Sequence, residues 1–78
     1  MILKIQAKSP PNSVPIGTEY ITLGAFLKLS GIASTGGMAR QLIVDEYVTV
    51  DGVVCTERGR KLTPGMRVRV FNKSYHVG

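Results

Sequence analysis

Around Tyr47 the spacing of apolar residues changes, and that change constrains the fold more than any other feature of the chain. Before it, Leu23, Phe26 and Leu27 stand at i, i+3 and i+4, and Met38, Ala39, Leu42 and Ile43 repeat the pattern. Each set makes one buried stripe on a short helix. After it, Tyr47-Val48-Thr49-Val50 and Arg67-Val68-Arg69-Val70 alternate with a period of two. That is the pattern of half-buried strands, with Val68 and Val70 facing the core and Arg67 and Arg69 facing out. The expected fold is therefore α+β: two packed helices against a small twisted antiparallel sheet.

The local signals set the boundaries. Thr22 is a suitable N-cap for a helix ending near Leu29, with Gly31 placed for the left-handed position after its C-terminus. Thr35 caps a second helix running roughly from Gly36 to Glu46. Asp51-Gly52 between two valine-rich runs predicts a hairpin with a type I′ turn. Thr63-Pro64-Gly65-Met66 predicts a type II turn, with proline at i+1 and glycine at i+2. Phe71 to Val77 either extends the preceding strand or pairs with an N-terminal one, for which Met1 to Ile5 is the candidate. Ser9 to Gly17 holds three of the four prolines, which excludes helix and predicts a connector. With 78 residues the chain is expected to form one domain, 1–78, with its core in 20–70 and a flexible Pro-rich loop at 7–18.

Few chemistries fit the composition. No apolar run is long enough to span a membrane, and Met1 to Gln6 is too short and too soon interrupted for a signal peptide. A single cysteine, Cys55, and a single histidine, His76, give no metal-ligand cluster and suit a reducing, cytoplasmic setting. Cys55 lies in an expected strand with no histidine to activate it, and reads as a small buried hydrophobe. Asp45 and Glu46 are adjacent on a helix and diverge, so they do not form a catalytic pair. No nucleotide-binding glycine motif is present, and no cofactor is expected.

Charge says more. Ten lysines and arginines against five acids give a net charge of +5 and a pI near 9.8. Five of the ten, Arg58, Arg60, Lys61, Arg67 and Arg69, fall between positions 58 and 69 with no acid among them. Such a balance fits a polyanionic partner, or simply solubility. In Thr35-Gly36-Gly37-Met38-Ala39-Arg40-Gln41, the glycines leave the first turn of the second helix bare. Its N–H groups, the helix dipole and Arg40 can then meet one phosphate. If the 58–61 loop folds beside that turn, the cationic surface becomes continuous and can follow a phosphate backbone.

The order of these features resembles the αL RNA-binding motif, the domain type named for ribosomal small-subunit protein S-four. The similarity runs from about Tyr20 to Val70, and is closest to small stand-alone YaaA-type proteins. Those carry a Thr-Gly-Gly-x-Ala-Lys/Arg joint, here Thr35 to Arg40, and an Arg-Gly-Arg-Lys-Leu-x-Pro-Gly run, here Arg58 to Gly65. The larger family usually has Ser-Arg where this chain has Thr35-Gly36. The resemblance implies non-catalytic binding of structured RNA, with ribosomal RNA or a ribosomal particle as target and ribosomal proteins as further partners. Carried over by position, the contacts fall on Thr35, Gly36, Gly37, Arg40, Gln41, Arg58, Arg60 and Lys61. Another reading of the same basic face is a protein-interaction or ribosome-associated adaptor module that docks an acidic protein.

Overall fold

The computed structural model describes residues 13–78. The strand expected at Met1 to Ile5 lies outside the described residues. Two helices, α1 (Leu23–Leu29) and α2 (Gly36–Val44), pack on each other and on one face of a five-stranded sheet. The strands are β1 (Ser13–Val14), β2 (Ile21–Thr22), β3 (Val48–Val50), β4 (Val53–Val54), β5 (Lys61–Leu62), β6 (Arg67–Val70) and β7 (Lys73–Val77). The large sheet has the order β1-β7-β6-β3-β4, and β2 and β5 form a separate two-stranded pair.

Side-chain oxygens cap both helices at the residues expected. Thr22 accepts from the N–H of Ala25, and Thr35 from the N–H of Met38 at 3.1 Å. Gly31 ends α1 at φ +85°. α2 ends two residues earlier than the sequence suggested. Glu46 takes a left-handed φ of +64°, its N–H donates to Ile43, and the N–H of Tyr47 donates to Leu42 at 3.1 Å. These two bonds make a Schellman stop. It usually uses glycine, and a glutamate there gave no signal in the sequence.

The strand turns follow the expected chemistry. Asp51 and Gly52 have φ of +50° and +87°, and Val50 pairs with Val53 across them. Gly65 has φ +100°, and the N–H of Met66 closes the turn onto the carbonyl of Thr63 at 3.1 Å. Phe71 to Val77 forms a hairpin partner for β6 and also pairs in parallel with β1 through Ser13↔His76 and Val14↔Val77. This corrects two expectations. Residues 13 and 14 are strand, not loop, and the sheet is antiparallel except at this one edge. Short two-residue strands carry too little alternation to be read from sequence.

One apolar cluster joins the layers: Leu23, Phe26 and Leu27 of α1, Ala39 and Ile43 of α2, and Val48, Val50, Val68 and Val70 of the sheet. Each large side chain buried here contributes about 1.5–3 kcal/mol relative to exposure. Cys55 is buried with them as a small hydrophobe. Met38 is the exception to the expected α2 stripe. It is 48% exposed, because Ala39 and Ile43 alone face the core and Leu42 lies at its margin.

Candidate functional site

The first N–H groups of a helix need acceptors from outside it. In α1 they come from the basic loop. Leu23 donates to the carbonyl of Arg60 at 2.8 Å, and Gly24 to the carbonyl of Arg58 at 3.0 Å. The pairing of β2 with β5, Thr22 opposite Lys61, continues the same seam. The N–H of Arg60 donates to Glu57 and tightens the loop into a turn. The loop is thus held by its backbone, and the side chains of Arg58 and Arg60 take no part in holding it.

This docking brings the loop to the helix pair. A hollow of about 330 Å³ is lined by Gly24, Ala25 and Lys28 of α1, by Gly36, Ala39 and Arg40 of α2, by Arg58 and Gly59 of the loop, and by Thr22. Five of these nine are glycine or alanine, so side chains do not fill the space. The charged ones, Lys28, Arg40 and Arg58, are all cations and all exposed. None of the three is paired with an acid among the described residues. Three like charges around one concavity repel one another, and an anion seated between them relieves that repulsion. The Thr35 hydroxyl oxygen accepts from the N–H of Met38, which leaves the N–H groups of Gly36 and Gly37 at the start of α2 for an external acceptor.

The residues singled out from the sequence divide into two groups. Gly36, Arg40 and Arg58 line the hollow together. Thr35 serves as the cap, and Gly37 is exposed in the first turn without lining the hollow. Gln41 donates from Nε2 to Asp45 at 2.7 Å, one turn along its own helix. Arg60 contributes its carbonyl to α1. Lys61 places Nζ 4.9 Å from the centre of the Tyr20 ring, a cation–π contact at the β2–β5 pair. Tyr20 and Tyr47 are each about half exposed. Arg67 and Arg69 stand on the outward face of β6, away from the hollow.

Lys28 was missed. It lies off the apolar stripe of α1, which gave no reason to single it out. Its signal was present: Gly24, Ala25 and Lys28 form a second face at i, i+1 and i+4, two small residues followed by a cation. Among the described residues no group of three or more His, Cys, Asp or Glu side chains is placed to hold a metal. No helix among them is long and apolar enough to cross a membrane.

Comparison with known proteins places the chain in a family. The chain is 42% identical over 59 residues to the probable ribosome maturation protein RlbA of Bacillus subtilis, covering 76% of this chain and 83% of that protein. Its structure is similar to the solution structure of YbcJ from E. coli, described as having an αL motif involved in RNA binding. The TM-score is 0.68 at 29% identity, covering 96% of each chain. The family model of the S4 domain matches residues 14–78, a span that contains both helices, the basic loop and the hollow between them, and the chain belongs to the S4 domain family.

Proposed function

We propose that the hollow between α1, α2 and the 58–59 loop is a phosphate-binding site for structured RNA, and that the protein binds without catalysing a reaction. The observation that carries this reading is the convergence of Lys28, Arg40 and Arg58 on a concavity floored by small residues. A phosphate there meets N–H groups at the start of α2 and guanidinium groups from two sides. Arg60, Lys61 and Gln41 lie on the neighbouring exposed surface, where they extend the contact to adjoining phosphates. Few groups at the hollow suit base edges, so shape and backbone contacts carry the selectivity.

The target we propose is ribosomal RNA or a ribosomal particle, in the cytoplasm. Support comes from the likeness to a probable ribosome maturation protein and to a structure described as involved in RNA binding. The test is a gel shift on a structured ribosomal RNA fragment with the wild type and Lys28→Ala/Arg40→Ala/Arg58→Ala. The reading requires that the wild type bind and the folded triple variant lose binding. Equal binding by both, or capture of an acidic protein in place of RNA, opposes it.

A further inference from the structure

The outward face of the large sheet carries a second set of groups that the hollow does not use. Strand alternation puts Thr49 of β3, Arg67 and Arg69 of β6 and Ser74 of β7 on that face, opposite the buried valines. Thr49 stands opposite Arg69 in the ladder, and Arg69 opposite Ser74. Continuing the β3–β6 register by one residue beyond Val48 and Val70 brings Tyr47 opposite Phe71. Their rings do meet, with centroids 5.0 Å apart and planes tilted by 38°. Arg69 donates from Nε to the carbonyl of Phe71 at 3.4 Å, which ties its guanidinium to the backbone of that residue.

Phe71 is unusual twice over. It is 63% exposed, and its φ of +57° is a conformation that suits glycine or asparagine far better than an aromatic residue. Nothing in the core requires a ring there, and Asn72 follows it in the same turn. Of the acids nearby, Asp51 accepts from the N–H of Arg67 and Asp45 from Gln41, while Glu46, next to Tyr47, closes α2 through its backbone N–H and leaves its carboxylate in solvent. The face therefore offers an aromatic platform at one end and two exposed cations along β6.

We infer that this face binds a single-stranded segment of RNA, with a base stacked on the Tyr47–Phe71 pair and the backbone running past Arg69 and Arg67. Stacking accepts any base, and the two arginines on alternate residues, about 7 Å apart, track a backbone rather than a single anion. The inference extends RNA binding to a surface separate from the hollow, since the helices pack on the opposite face of the sheet. A structured target would seat its helix at the hollow and pass an unpaired flank across the sheet.

Two labelled probes separate the surfaces by fluorescence anisotropy with the full chain: oligo(A) RNA of about ten nucleotides and a blunt-ended RNA hairpin. Tyr47→Ser/Phe71→Asn should weaken oligo(A) binding about fivefold or more, with hairpin binding changed less than about twofold. Asparagine is chosen at 71 because it tolerates the left-handed backbone. Arg69→Gln should weaken oligo(A) binding in the same sense, and serves if the double variant melts early. Lys28→Ala/Arg40→Ala should show the reverse pattern. Three results would overturn the inference: no oligo(A) binding by the wild type, oligo(A) binding unaffected by the folded sheet variants, or displacement of oligo(A) by an oligoglutamate peptide at equal concentration. Failure of the hairpin arm alone would instead count against the hollow.

Discussion

The N–H of Gly24 donates to the carbonyl of Arg58 at 3.0 Å, and a Cβ at Gly24 would stand 3.5 Å from both that carbonyl and the Arg58 Cβ. The start of α1 and the basic loop are therefore one unit, with just enough room for a methyl group. Gly24→Ala should be tolerated and, by removing a glycine from a helix, should raise stability by up to about 1 kcal/mol. RNA affinity should stay within about twofold. Gly24→Leu extends into the hollow. It should reduce RNA affinity about tenfold, the loss of one charge-assisted contact of about 1.5 kcal/mol. Urea denaturation and a binding isotherm on each variant check both outcomes.

Lys28 should count as a phosphate contact equal to Arg40. With three to five phosphates neutralised, log K for the wild type should fall against log salt with a slope of about −2 to −4.5. Lys28→Ala should make that slope shallower by about 0.7–0.9. Lys61→Ala should change it less, because Nζ of Lys61 is held over Tyr20. A salt titration in which Lys28→Ala superimposes on the wild type would remove Lys28 from the site.

Asp51 is placed for structure rather than for binding. Its carboxylate accepts from the N–H of Arg67 at 2.9 Å, and its own N–H donates to the Arg67 carbonyl at 2.8 Å, tying the β3–β4 turn to the start of β6. Asp51→Ala leaves the Arg67 N–H without its partner and places alanine at a positive φ. It should cost about 1–3 kcal/mol in chemical denaturation with little effect on RNA affinity at the hollow. Asp51→Asn retains an acceptor oxygen and tolerates the backbone, so it should cost much less.

Glu46→Gly tests the stop at the end of α2. Glycine suits φ +64° better than glutamate, and no side-chain contact of Glu46 is lost among the described residues. The variant should gain about 0.5–1 kcal/mol. For a domain of this size a gain of 1 kcal/mol is a rise of about 4–8 °C in Tm. Differential scanning calorimetry reads it directly.

Local chemistry was legible in the sequence wherever one residue type has one structural use. Thr22 and Thr35 as caps, Gly31 after α1, Asp51-Gly52 in a hairpin and Pro64-Gly65 in a turn all appear in their expected roles. So does the outward placement of Arg67 and Arg69. What was not legible depends on partners distant in sequence. The parallel pairing of Ser13–Val14 with His76–Val77 has no local pattern, and the exposure of Met38 depends on how α2 is rolled against the sheet. The candidate site shows the same division. Gly36, Arg40 and Arg58 could be named from residue type, but their meeting depends on two backbone bonds from α1 to the loop. Lys28 joins them through the same docking.

The most direct test is an NMR titration of the isotopically labelled protein with a blunt-ended RNA hairpin. The account predicts that the largest amide shifts cluster on Gly24, Lys28, Gly36, Arg40 and Gly59, the residues around one concavity. Shifts that spare those amides, with the RNA bound elsewhere on the surface, would contradict it.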